Sequence, residues 1–161
     1  MAKKKTGDFT FKTFYQWCID YWQWVGIFLF IYLSIYLSII VLPNNLLLYG
    51  ALMVFPLYLL HEFEEYLIPG GFAEFFNKDV LKIKRKDVLP IDKPAIFWIN
   101  MLLVWILLPI GGLLSIINIK LGIWMYYFII FQAIGHLVLG LKGKRIINPG
   151  MITSWLIHTP F

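Results

Sequence analysis

Four stretches of this chain are too long and too apolar for anything but a membrane or an unusually large core. Residues 21–42, 46–67, 95–119 and 121–141 are uncharged or nearly so, and each meets the roughly 20 residues needed to cross a ~30 Å hydrocarbon layer. Lipid offers the backbone no hydrogen-bond partner, so spans of this length must be helices. The composition agrees. The chain is 60% hydrophobic and only 14% charged, with a mean hydropathy of +0.76, whereas soluble domains carry about 25% charged residues. The reading is an all-α integral membrane protein, one membrane domain over residues 1–161. It is a bundle of four transmembrane helices plus a partial or re-entrant fifth segment. Pro109, Gly111 and Gly112 are expected to kink the third span.

The net charge of +5 is a topology signal, and it argues against nucleic acid as a partner because the basic residues fall between apolar runs. Lys3, Lys4, Lys5 and Lys12 precede span one. Six more, from Lys78 to Lys93, lie in the loop 68–94. Lys142, Lys144 and Arg145 follow span four, and only Lys120 is left for the other side. The basic side is expected to be cytoplasmic, with the N-terminus there, in the plasma membrane of a bacterium or archaeon. Met-Ala-Lys-Lys-Lys opens like a signal peptide. The apolar run after it is too long for one, and no small-residue cleavage site ends it, so the first helix is expected to stay. A single cysteine, Cys18, excludes an intrachain disulfide and a cysteine-based metal cluster.

Two flanks are ambiguous on sequence. Residues 9–24 are dense in Phe, Tyr and Trp beside lysines, which fits a short surface helix or a simple interfacial aromatic belt. Residues 146–161 are uncharged, and Asn148-Pro149-Gly150 turns the chain back toward the bilayer. That tail is short for a crossing. It reads as a re-entrant segment, a short or tilted fifth helix, or the opening of a helix that continues past residue 161.

The polar residues inside the spans carry the functional argument. His61 lies 15 residues into the second span, and His136 lies 15 residues into the fourth. Both spans begin outside, so a rise of 1.5 Å per residue places both histidines about 22 Å below that surface. Asn100 enters the third span from the opposite end and should lie about a turn deeper toward the cytoplasm, with Asp20 near the same side. Separate helices thus bring His61, Glu64, Glu65, Asn100 and His136 toward one layer. Ionisable groups at such depth usually face a bundle interior or a cavity. Around the helix, Glu64 and Glu65 stand at about −60° and +40° from His61. Glu62 falls at the edge of that arc, Phe63 points away, and Gln132 shares the face of His136.

The donor types suit a metal. An imidazole with carboxylates at i+3 and i+4 resembles, in reverse order, the Glu-x-x-His pairs that hold dinuclear centres in helical bundles. His61, Glu64, Glu65 and His136 form an N/O set suited to Zn, Fe or Mn, as one ion or a dinuclear pair. His61, Glu64 and His136 are expected as ligands, Glu65 as a further ligand or general base, and Asn100 as a substrate-orienting group. Glu65, Glu64 and Asn100 are the catalytic candidates. The segment is not the zinc-protease motif, because position 65 is Glu rather than His. Other readings stand beside this one. A repelling Glu pair could act without metal in intramembrane hydrolysis. The layer could conduct protons as part of a carrier or channel. The carboxylates could simply reach interfacial water or pair with the basic residues of 78–86. His158 reads as a packing residue. A site at this depth points to a lipid-like or amphipathic substrate of a hydrolase or oxidoreductase, with the bilayer itself as partner.

His61-Glu62-Phe63-Glu64-Glu65 resembles the motif of the HXXEE-domain family of small multi-span membrane proteins. The likeness extends to Pro69, Phe72, Asn100, His136, Asn148-Pro149-Gly150 and Thr153. It implies an integral membrane protein expected to be an enzyme, and it supplies neither reaction nor substrate. The Glu pair is also similar to that of CPBP-type intramembrane proteases. Their pair is followed four residues on by arginine, where this chain has Ile68 and Pro69.

Overall fold

The computed structural model describes residues 10–84 and 89–158. Lys3, Lys4, Lys5, Arg85 and Lys86, which entered the charge argument, lie outside the described residues. So do residues 159–161 of the tail.

Helix α1, Phe11–Ile40, is one continuous element of 30 residues. Thr10 starts it with a capping box: its hydroxyl accepts from Thr13 N, and Thr13 Oγ1 accepts from Thr10 N at 2.8 Å. The aromatic flank is therefore the first part of the first span rather than a separate surface helix. At 1.5 Å per residue such a helix is about 45 Å long, which exceeds the hydrocarbon layer and places an aromatic end in the interface. A turn at residues 41–45 reverses the chain. Asn45 caps α2, Leu46–Tyr66, by accepting from Leu48 N at 2.9 Å, and α2 packs along α1. The His61–Glu65 motif occupies its last turns.

Gly70 and Gly71, at φ 69° and 90°, turn the chain out of α2. A short helix α3, Phe72–Glu74, runs on as the wider turns Phe75–Val80 and packs on the fourth span. Buried Asn77 fastens this loop. It donates to Ile91 O at 2.7 Å and accepts from Ile91 N at 3.3 Å.

The third span is two helices, α4 (Lys93–Leu103) and α5 (Leu107–Ile117). The expected kink exists, but it lies at residues 104–106, one turn before Pro109. Proline has no N–H for the carbonyl four residues back, and its ring crowds that carbonyl; for Pro109 this is Trp105. The chain responds by bending there, with Asn100 O accepting from both Val104 N and Trp105 N at 2.8 and 3.0 Å. After a tight turn at Ile119–Gly122, α6 (Trp124–Gly143) forms the fourth span and ends at Lys144 in left-handed conformation, φ 58°. The tail forms α7, Met151–Thr153, continued by the wider turns Ser154–His158. This element packs back on α2 and α6 inside the bundle.

Four helical stretches are long and apolar enough to cross a membrane: Phe11–Ile40, Leu46–Tyr66, Lys93–Ile117 and Ile119–Gly143. Their outer faces are apolar, with Phe28 70% and Phe131 72% exposed, which is a surface made for lipid. Inside, Val54, Tyr58, Val104, Leu108, Met125 and Ile129 form the central core. Ile19, Trp22, Ile96 and Phe97 form a second cluster. Lys93 Nζ reaches Asp20 Oδ1 at 2.7 Å, which ties the start of α4 to the first turns of α1 at one end of the bundle.

Alternation of four crossings sets Lys84 and Lys120 on opposite membrane faces. In a Cys18→Ala background, Lys84→Cys and Lys120→Cys should react with an impermeant maleimide from opposite sides of sealed vesicles. Reaction of both from one side contradicts this topology.

Candidate metal centre

The last turns of α2 carry three glutamates in four positions, and the structure gives each a different partner. Glu65 turns toward the histidines. Its Oε1 lies 3.1 Å from His136 Nε2 and 3.6 Å from His61 Nε2. All three side chains are buried. One ligand atom from each can be chosen so that all lie within 4.8 Å of one another. The imidazole centroids are 4.9 Å apart and the rings nearly perpendicular, at 84°. The two histidines expected at one depth therefore do meet.

Glu64 does not join them. Its carboxylate accepts from Ile152 N at 3.1 Å, Thr153 N at 2.7 Å and Thr153 Oγ1 at 2.6 Å. The physical reason is the tail. The first N–H groups of α7 have no partner within the helix, they are placed in an apolar interior, and Glu64 satisfies them. A role as direct ligand, expected on helical spacing alone, gives way to that of holding the tail in place.

This arrangement fixes the imidazole tautomers. Thr153 gives its hydroxyl hydrogen to Glu64, so its oxygen is the acceptor for His61 Nδ1 at 2.8 Å. Asn148 Nδ2 donates to His136 O at 3.0 Å and Ile146 O at 3.1 Å. Its Oδ1 therefore faces His136 Nδ1, 2.9 Å away, as acceptor. Both rings use Nδ1 as the donor to these oxygens and turn Nε2 toward Glu65, where it either holds a proton or offers its lone pair to a cation. Metal-binding histidines are typically oriented in this way, with the second nitrogen donating to a fixed oxygen. Two imidazole nitrogens and a carboxylate converging in a buried pocket require a cation among them, a proton or a metal ion.

Gly150 closes the pocket from below. Its φ is +88°, and a Cβ there would stand 2.6 Å from Glu65 Cγ, 2.6 Å from His136 Cε1 and 2.7 Å from His61 Cε1. Only a residue without a side chain allows this approach.

Glu62 faces the other way. Its Oε2 accepts from Trp105 Nε1 at 3.0 Å, and its Oε1 has no hydrogen-bond partner among the described residues. Trp105 lies in the bend before Pro109. Asn100 stands outside the trio. It donates to Tyr66 OH at 3.2 Å and to Ile96 O at 2.9 Å, and with Glu65 it lines a cavity of about 190 Å³. Gln132 donates to Tyr58 OH on the same cavity, and Tyr58 packs edge-on against His61 at 5.1 Å. Asp20 is engaged with Gln16 and Lys93 at the end of the bundle. Residue patterning alone does not give the roles of Asn148, Gly150 and Thr153. The signal was the turn Asn148-Pro149-Gly150, which shows that the tail returns but not what it meets.

Fold and site together define a helical membrane protein with a buried His/Glu cluster facing a cavity. Residues 52–161 match the family described as "Protein of unknown function with HXXEE motif", and the chain belongs to that family. Comparison with curated proteins and with solved structures gives no match.

Gly150→Ala should destabilise the protein by about 1–3 kcal/mol from backbone strain alone, seen as a lower melting temperature in detergent. An unchanged melting temperature contradicts the close packing described. At Glu62, replacement by Gln keeps an oxygen acceptor for Trp105, whereas Ala leaves the indole N–H unpaired at a cost of about 1–3 kcal/mol. Glu62→Ala should therefore melt well below Glu62→Gln; equal melting temperatures contradict that hydrogen bond.

Proposed function

We propose that this protein is a membrane-embedded, metal-dependent enzyme, a hydrolase or oxidoreductase acting on a lipid-like substrate from the cytoplasmic leaflet. The supporting observation is the convergence of His61 Nε2, His136 Nε2 and Glu65 Oε1, with both imidazoles locked through Nδ1. Ligand atoms about 2.0–2.1 Å from a tetrahedral metal stand roughly 3.3 Å apart. The two separations from Glu65, 3.1 and 3.6 Å, bracket that value, and with all three ligand atoms within 4.8 Å of one another the two imidazoles would draw together on an ion.

Two histidines and one carboxylate form a three-ligand set that leaves a coordination position open. The same set serves hydrolytic zinc sites and non-haem iron oxygenases. Such an ion supplies a Lewis acid, activated water or oxygen chemistry. The chain supplies everything around it. Thr153, held by Glu64, orients His61. Asn148 orients His136. Gly150 lets the tail close against both rings, and the apolar bundle excludes bulk water. Glu65 borders both the trio and the cavity, so a molecule in the cavity reaches the reacting position. With Glu64 committed to the tail, one ion is favoured over a dinuclear pair. The same commitment weakens the metal-free reading, which needs both carboxylates free at one point.

Elemental analysis of protein purified without chelator should find about one equivalent of Zn, Fe or Mn. His61→Ala and His136→Ala should lose it, and Glu64→Gln or Thr153→Val should weaken metal affinity by about 10–100-fold. Zinc favours hydrolysis and iron favours oxidation. Protein with no stoichiometric metal overturns the proposal.

A further inference from the structure

The cavity beside Glu65 also constrains what enters it. It lies between α4 and α6, with α2 behind. Helix α4 packs on α1 and α5, whereas α6 packs on α2, α5 and the tail. The two helices thus stand apart around the cavity. The turn at residues 104–106 interrupts the third span between α4 and α5, and Leu103 and Val104 beside it line the cavity. Ile99 and Leu103 line the cavity and are also 48% and 45% exposed on the outer surface of a spanning segment. Phe72 and Ile91 close the cavity toward the loop side, and an apolar chain in the bilayer meets it along the exposed wall of Ile99 and Leu103.

The lining is chemically selective. Apart from Glu65, no charged side chain borders the cavity among the described residues, so a phosphate or sulfate would find no counter-charge. What the lining offers is one acceptor and one donor side by side. Asn100 Nδ2 donates to Tyr66 OH, while Asn100 Oδ1 and the Tyr66 hydroxyl hydrogen have no partner among the described residues. An alcohol or carbonyl oxygen could engage them. A volume of about 190 Å³ accommodates a stretch of one chain.

We propose that the cleft between α4 and α6 is a lateral binding site for a neutral, single-chain lipid bearing an alcohol or carbonyl group, delivered from the bilayer to Glu65. This deepens the enzyme reading and rests on the trio as the reacting centre. The cleft itself is tested independently of metal.

The probe is a long-chain fatty alcohol carrying a diazirine on its tail, photolysed with the full-length protein in vesicles and mapped by mass spectrometry. Labelling should concentrate on the α4 and α6 residues that line the cleft. Excess hexadecanol should compete, and hexadecyl phosphate should compete at least 10-fold less well. Leu103→Trp, which fills the mouth, should lower cleft labelling at least 5-fold with metal content unchanged. Asn100→Leu provides a second variant if Leu103→Trp fails to fold, and it should weaken competition by hexadecanol at least 5-fold. Labelling spread evenly over lipid-facing α1 and indifferent to a folded cleft variant overturns the proposal. So does equal competition by the phosphate. Cleft labelling in protein that holds no metal supports the lateral site while overturning the metal reading.

Discussion

Glu64 is the residue on which the rest of the site depends. A carboxylate buried in an apolar bundle must be hydrogen-bonded to persist. Glu64 meets that need with three donors from Ile152 and Thr153. The same bonds satisfy the open N–H groups at the start of the tail helix. Each side solves the other's problem, and the result is a tail held inside the bundle rather than released to the interface. Thr153 is then in place to fix His61, Asn148 to fix His136, and Gly150 to lie against both rings. An acid that never touches the converging lone pairs thus decides where they point.

The three glutamates of one helical turn divide the work by direction. Glu62 faces Trp105, Glu64 faces the tail, and Glu65 faces the histidines. Three buried carboxylates in so small a volume would repel strongly if they shared one space. Separate partners on three sides remove that conflict. The bend before Pro109 serves two of these sides. Trp105 in that bend gives its indole N–H to Glu62, and α4 before it lines the cavity that Glu65 borders.

Much of the architecture was legible in the residues. Apolar length alone gave four helices able to span, because lipid enforces both a minimum length and a helical backbone, although the first begins at Phe11 rather than near residue 21. Counting residues from the outer ends of two spans placed His61 and His136 at one depth, and their rings do meet. The division between Glu64 and Glu65 was not legible. Helical spacing puts both on the same face as His61 within about 100°, and what separates them is a segment nearly 90 residues later. Likewise, a proline marks where a hydrogen bond is missing, yet the bend appears a turn earlier, at the carbonyl that lost it. The aromatic flank at residues 9–24 left two readings open for a related reason. Interfacial composition describes the environment of a segment, and it does not say whether the helix is continuous through it.

The central claim is that the Nε2 atoms of His61 and His136 and the carboxylate of Glu65 share one cation, and that this cation is a metal. The most direct measurement is anomalous diffraction, above and below the metal absorption edge, from crystals of protein never exposed to chelator. The account predicts a single peak bonded to all three residues, about 2.0–2.2 Å from each ligand atom, with Glu64 still bonded to Thr153. A pocket with no anomalous peak, in which a proton alone joins His136 to Glu65, would contradict it.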